Sequence, residues 1–378
     1  MKIAFVSDHI NFPTGYGVYT RNLMLQLRAR GHECIEFALQ WPGAPTESEG
    51  FAIYPGGNAG LIERGLDIAK PDVLIHVRDS WVFIQRFFAT PYHFWPMCKA
   101  RGIAFVAATP IQSFPVPPEL AATVTTEADL TIVQAECEKK ALTDLGAPPD
   151  RVGVLYHGVE RSVFRPGPGE RAPLGLPPQG PMLLTVGTNT ERKNLPGNLL
   201  VLSRLLAQYP EAFLYLHTPP SGFFALDCHT RVLGLTGKGK VWIPPDRGNA
   251  QVALWSEDSQ GLANAYRTAD VFLSTTFAEG FGAPTLEAIA SGLPVVITDT
   301  PIHRELWGEF PGVSFIPSKK ELPTPWGWDW IVDMDRAVEL TAKALASGKP
   351  KTVSIPPKYL WPNIAGRMEQ LLGPYVRK

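Results

Sequence analysis

Short, almost wholly apolar runs, most of them followed by a stretch with helical apolar spacing, set the tightest limit on how this chain can fold. They fall at 2–6, 34–39, 51–55, 73–77, 103–109, 130–134 and 152–156, and again at 182–188, 213–217, 241–243, 271–276, 294–297 and 313–316. Runs apolar on both faces are strands buried on both faces, and alternation with helices implies a parallel sheet covered on each side. Pro and Gly crowd together at 166–181, a linker by composition, and 221–240, between two of the later runs, is irregular and rich in Gly. This predicts an α/β chain of two Rossmann-like domains, 1–165 and 182–358, joined by a linker at 166–181. At 378 residues, each has enough chain for its own core. The run at 313–316 is expected to be the last strand, and 359–378 holds a final amphipathic helix.

One stretch inside this pattern carries chemistry. Glu279-Gly-Phe-Gly-Ala-Pro-Thr-Leu-Glu287 follows the run at 271–276 and opens a helix near Pro284, which Gly292 and Pro294 then stop. The first turn of a helix leaves N–H groups unpaired and its dipole favours an anion. Gly280 and Gly282 let a ligand come close to the backbone. Glu279 and Glu287 flank this anion site. Carboxylates repel phosphate but accept hydrogen bonds from hydroxyls. A ligand with both a diphosphate and sugar hydroxyls satisfies both demands. The plainer alternative is a surface turn with a dipole-stabilising acid at the helix start.

Arg192 and Lys193, adjacent at the end of the 182–188 strand and just before a helix, form a second anion site or else a solvated basic turn. Gly15 and Gly17 give G-x-G after the first strand, but Thr20 stands where a dinucleotide fingerprint has its third glycine, and the loop before Gly15 is too long. Arg78 and Asp79 end one strand and Pro110 the next, the strand ends where ligands of α/β sheets bind. Aromatics from Trp81 to Trp95 follow, either packing a helix or lining a groove. Trp326, Trp328 and Trp330 alternate in a later loop, and packing is the favoured reading. His157 reads as structural.

Composition removes several classes. A net charge of −1 gives neither nucleic acid nor an anionic membrane a global attraction. The 4 cysteines, Cys34, Cys98, Cys137 and Cys228, lack metal or redox spacing, and no His/Cys/Asp set has ligand spacing. No uncharged apolar run reaches ~20 residues. With a strand at the very start, reduced thiols and no leader, a cytoplasmic location is expected. Gly-x-Ser-x-Gly is absent, and the two glutamates lack a glycosidase acid/base context.

The two acids with seven residues between them, Gly-Phe-Gly after the first, and Gly-Leu-Pro-Val-Val at 292–296 resemble the family 4 retaining glycosyltransferases (glycosyl transferases group 1). The resemblance implies the GT-B fold: two Rossmann-like domains facing each other across a cleft, the first on the acceptor side and the second on the donor side, with the last helix crossing back to the first. It implies transfer of a sugar from a nucleotide-diphosphate sugar to a hydroxyl acceptor with retained configuration, with no cofactor and no essential metal. Arg192 and Lys193 then hold the diphosphate, and Glu279 contacts the sugar. Glu287 binds the ribose, while Gly280, Phe281, Gly282 and Ala283 lie along the donor. Gly15 and Gly17 approach its phosphates, and Arg78, Asp79 and Pro110 face the acceptor. Many members carry a histidine near Thr109-Pro110-Ile111-Gln112-Ser113, and this chain has none. A non-catalytic sugar-nucleotide-binding subunit and a nucleotide-sugar epimerase are the competing readings. The donor's base and sugar stay open. So does the acceptor, which could be a glycan, lipid, small molecule or modified nucleic acid, with peripheral membrane contact also open.

Overall fold

The computed structural model describes residues 1–83, 94–244, 259–324, 327–350 and 353–375. The chain divides into two compact units, Met1–Gly158 with Pro357–Lys378, and Val159–Pro356. The Pro- and Gly-rich stretch 166–181 lies inside the second unit. There Glu170 N donates to Asn264 Oδ1 at 2.8 Å and Asn264 Nδ2 returns a bond to the Glu170 carbonyl at 2.7 Å.

The first unit is built on a sheet of β1 (Lys2–Ser7), β2 (Glu33–Ala38), β3 (Thr46–Ser48), β4 (Phe51–Pro55), β5 (Val73–Val77), β6 (Ala104–Ala108), β7 (Leu130–Val133) and β8 (Val152–Val154). Their spatial order is β3-β4-β2-β1-β5-β6-β7-β8, parallel except for the β3–β4 pair. All five residues of β5 are buried, which is why the run lacks alternation. The chain winds outward from β1 in both directions, so the C-terminal ends of β1 and β5 flank the switch point where such sheets hold ligands. The helix Gly15–Ala29 follows β1, capped by Thr14, whose side chain accepts from Gly17 N. The final helix, Trp361–Leu372, returns to this unit. Its Trp361, Ile364, Met368 and Leu372 share one core with Tyr19, Leu23 and Leu27.

The second unit holds a parallel sheet of β9 (Met182–Val186), β10 (Phe213–His217), β11 (Val241–Trp242), β12 (Val271–Ser274), β13 (Val295–Thr298) and β14 (Val313–Ile316), ordered β11-β10-β9-β12-β13-β14. The run at 313–316 is not the last strand. An antiparallel hairpin follows, β15 (Ser318–Thr324) with β16 (Gly327–Val332). Lys319, Lys320, Glu321 and Pro323 hide β15 from a search for apolar runs. Two short helices also went unread, Leu226–Val232 and Pro301–Trp307. The first has too few apolar residues for a clear stripe, and the second begins on a proline that reads equally as a turn.

Trp328 and Trp330 are half-buried on β16, and Trp330 N donates to the Phe277 carbonyl at 2.9 Å, so this strand packs onto its own unit. Trp326 lies outside the described residues, as do 84–93 of the aromatic run. Phe94, beyond that gap, is buried against Phe105 and His76. His157 is buried between Tyr19 and Trp361, and burial pushes its imidazole down to about 4.

Candidate active site

Three loops of the second unit, after β9, β12 and β13, are stitched together by small polar side chains. Asn194 caps the helix Leu195–Leu205 through Gly197 N and donates to the Thr275 carbonyl at 3.0 Å. One turn on, Asn198 Oδ1 accepts from both the amide and the hydroxyl of Thr275, each at 3.0 Å. Thr298 donates to the Thr276 carbonyl at 2.6 Å, and Phe277 N donates to the Arg192 carbonyl at 2.7 Å. Asn194, Asn198, Thr275, Thr276 and Thr298 are all buried. This buried network fixes where residues 190–193 and 276–282 stand, with Asn198 Nδ2 alone in it left without a partner.

On this frame Glu279 meets both cations. Its Oε1 accepts from Arg192 Nη1 at 3.0 Å, and its Oε2 is bonded to Lys193 Nζ. Arg192 also donates to the Ala278 carbonyl at 3.1 Å. Burial alone would raise the Glu279 carboxyl, but the charges of Arg192 and Lys193 outweigh it and hold it down to about 2. The three side chains carry one net positive charge. The Lys193 stem runs along Gly187, where an added Cβ would sit 3.4 Å from Cε.

Gly280 and Phe281 are buried, and Phe281 packs edge-to-face on Trp307 at 5.3 Å, so its ring is core while its backbone forms the turn. Gly282 has φ +85 and precedes the helix Ala283–Ala290, with Pro284 in its first turn. Glu287 lies on that helix and accepts from the hydroxyl of fully buried Tyr266 at 2.8 Å; this hydroxyl also faces the Pro284 carbonyl at 3.1 Å. Burial raises the Glu287 carboxyl to about 7, against the lowering effect of the Tyr266 bond.

His303 was not visible as a site residue in the sequence. It is buried, its Nδ1 donates to the Thr298 carbonyl at 2.7 Å, and an added Cβ on Gly282 would lie 3.8 Å from its Nε2. Burial lowers its basicity, opposed by the Thr298 carbonyl and by Glu279. The only sequence signal for the Asn194 and Asn198 pair was amide side chains four apart on a helix otherwise rich in leucine.

The remaining candidates fall in the first unit. Gly17 packs tightly, since a Cβ there would meet the Phe12 carbonyl oxygen at 2.2 Å, whereas one on Gly15 would meet nothing within 4 Å. Arg78 pairs with Asp8 at 2.6 Å, and Asp79 accepts from Tyr16 and Gln112. Pro110 lines a small cavity with Tyr16 and Thr109.

Two parallel α/β sheets of this order, with the last helix returning to the first unit, define the GT-B class of fold. Solved structures agree over nearly the whole chain. Sucrose-phosphate synthase from Thermosynechococcus elongatus matches with a TM-score of 0.69 at 17% identity, covering 99% of this chain and 98% of that one. Anabaena HepE, solved in complex with UDP-glucose, matches with a TM-score of 0.65 at 15% identity, covering 99% and 100%.

Sequence narrows the class. Residues 247–321, which include Glu279, Glu287 and His303, match the family described as "Glycosyl transferases group 1". The D-inositol 3-phosphate glycosyltransferase of Mycolicibacterium smegmatis is 32% identical over 181 residues, 46% of this chain and 38% of that protein. The enzyme of the same name from Mycobacterium tuberculosis F11 is 34% identical over 179 residues, 46% and 34% respectively. The chain thus spans well under half the length of these curated relatives. It is similar to the group 1 glycosyl transferases.

Proposed function

We propose that this protein is a retaining glycosyltransferase that moves a sugar from a nucleotide-diphosphate sugar to a hydroxyl acceptor. The observation that carries this reading is the Arg192–Glu279–Lys193 cluster set beside the glycine turn at 280–283. As the glycosidic bond breaks, negative charge grows on the leaving diphosphate. A fixed cluster with one net positive charge stabilises that charge where it develops. Arg192 and Lys193 face the phosphates, and no essential metal is needed if they supply the positive charge. Glu279, kept ionised by the two cations, holds both in place and lies where it can accept from a sugar hydroxyl. Glu287 accepts from the ribose hydroxyls. The solution of HepE with UDP-glucose favours a UDP-sugar donor here.

The test is thermal stabilisation of the full chain by UDP-, GDP-, ADP- and TDP-sugars, because a ligand that binds only the folded state raises its melting temperature. A shift with one nucleotide class, lost in Glu287→Ala, is expected. The ribose contact to a charged acceptor accounts for roughly 1.5–3 kcal/mol of that binding. No shift with any donor, or an equal shift in Glu287→Ala, overturns the reading. Donor turnover insensitive to EDTA is expected alongside.

A further inference from the structure

We propose that Arg161 and Phe164 are positioning residues for Glu287. They act from the stretch of chain that opens the second unit at Val159. Their effect on ligand binding rests on the reading of Glu287 as the ribose acceptor, whereas their hold on the Glu287 side chain stands on geometry alone.

The stretch first folds on itself. Val163 N and Phe164 N donate to the Glu160 carbonyl at 3.1 and 2.8 Å, and Ser162 donates through both its amide and its hydroxyl to Glu160 Oε1. This turn carries two side chains onto the supports of Glu287. Arg161 Nη1 donates to the Phe164 carbonyl at 2.8 Å and to the Ala290 carbonyl at 2.5 Å. Ala290 is the last residue of the helix that holds Glu287. Arg161 pairs with no carboxylate among the described residues, and burial lowers its basicity. A desolvated guanidinium without a counter-ion is favoured where partial negative charge gathers, and the unpaired carbonyls of a last helical turn gather it. An apolar residue would fill this space without desolvating a charge, so the bond to the helix end is what distinguishes arginine here. Pro166 closes the same end, since a Cβ on Gly292 would meet its Cγ at 3.2 Å.

Phe164 reaches the other support. Its ring is 7% exposed and meets Tyr266 edge-to-face at 5.7 Å. Tyr266 lies on the helix Ser259–Thr268 and has one hydroxyl proton for two nearby acceptors, Glu287 Oε2 at 2.8 Å and the Pro284 carbonyl at 3.1 Å. One proton cannot serve both well, so the placement of the ring decides which oxygen receives it. Phe164 on one side and Phe272, at 6.2 Å, on the other set that placement. An edge-to-face pair selects a ring geometry, which an aliphatic filler does not. Glu287 is thus held twice by one short stretch: its helix through Arg161, its carboxyl oxygen through Phe164 and Tyr266.

The experiment has two arms, both on the full chain. In the first, the Glu287 carboxyl is titrated by carbon NMR without ligand, its signal assigned by its loss in Glu287→Gln. The wild-type midpoint is expected at about 7. Phe164→Ala should bring it well down toward the ordinary 4.5, because water then reaches the carboxyl and its tyrosine. Phe164→Leu keeps the apolar cover and loses the ring edge; it should fall between the two, and it carries the arm if Phe164→Ala does not fold. Arg161→Met should lower the midpoint as well by loosening the last turn of the helix, and Arg161→Lys should restore it in part. In the second arm, UDP, GDP and ADP are titrated calorimetrically into the wild type, into each variant and into the same variants combined with Glu287→Gln. Phe164→Ala and Arg161→Met should each weaken the nucleotide that binds about fivefold or more, and neither should weaken it further once Glu287→Gln is present. A purely structural role would lower the melting temperature, leave the midpoint in place and weaken the nucleotide equally in both backgrounds. An unmoved midpoint, or equal weakening in both backgrounds, overturns the proposal. If none of the three nucleotides binds the wild type, the ribose reading of Glu287 fails, and the midpoints of the first arm still decide whether Arg161 and Phe164 position it.

Discussion

Glu279 and Glu287 are the same residue type on one turn and helix, yet their surroundings drive them apart. Both lose water on burial, which favours the neutral form. Glu279 has two cations to offset that loss and sits at about 2, while Glu287 has a neutral tyrosine hydroxyl and sits at about 7. Glu287 therefore titrates where the protein is handled. Its folded value is raised above its ordinary 4.5, so its contribution to stability is full below 4.5 and is lost as pH rises through about 7. Glu287→Gln mimics the protonated form. The gap in melting temperature between variant and wild type should shift in favour of the variant from pH 5 to pH 8. Donor affinity should do the opposite in the wild type, rising with pH through about 7 as the carboxylate forms, and should be flat in the variant. A wild-type donor affinity flat across that range would remove Glu287 from the donor site. Lys193→Ala asks a different question, since both partners of that pair are only 12% exposed. Leaving Glu279 with Arg192 alone should cost stability, up to about 3 kcal/mol, by the logic of a broken buried pair. At saturating donor and a temperature where the variant is folded, turnover should fall about 10²-fold or more. A wild-type rate there would refute the role of Lys193.

At the scale of elements, the turn between β12 and the helix Ala283–Ala290 depends on one backbone conformation. Gly282 holds φ +85, a region that costs a residue with a side chain about 1–2 kcal/mol. A Cβ there would also lie 3.4 Å from Glu279 Cγ and from Thr285 Oγ1. Gly282→Ala should lower stability by about that amount and weaken the donor-induced thermal shift, because the displaced atoms belong to the anion site; an unchanged shift would show that the turn does not touch the donor. This element was legible in the sequence because three signals agreed: an apolar run, glycines where the chain turns, and a proline that suits a first helical turn. The run at 73–77 matched its strand residue for residue, since burial on both faces leaves nothing polar to blur the ends; the run at 51–55 matched too, although on β4 burial alternates and Ala52 is exposed. What stayed hidden was polar or short. Asn198 looks like an ordinary helix residue until Thr275, 77 positions away, is seen to bond it. The hairpin of β15 and β16 carries lysines and a proline where a strand search expects valines. His303 became visible only once Thr298 fixed its ring.

At the scale of the whole molecule, the chain passes from the first unit to the second and then returns, and the return is held by apolar packing. Trp361 is 3% exposed and packs on Tyr19 and His157, and a Cβ on Gly158 would sit 2.4 Å from its indole. Truncating a buried tryptophan typically costs 3–5 kcal/mol. Here that loss falls on the core of Met1–Gly158 and not on the core of Val159–Pro356. Units with separate cores can melt in separate transitions. For a unit of this size the loss corresponds to roughly 10 °C. Calorimetry of Trp361→Ala should show one transition falling by that order and the other staying in place. Addition of the effective nucleotide-sugar should raise the transition that Trp361→Ala leaves alone, because Arg192, Lys193, Glu279 and Glu287 all belong to the second unit. Hydrogen exchange should assign the falling transition to β1, β5 and β6. If both transitions fall together, the units are one cooperative body, and the return of the last helix stabilises the whole chain rather than the first unit alone.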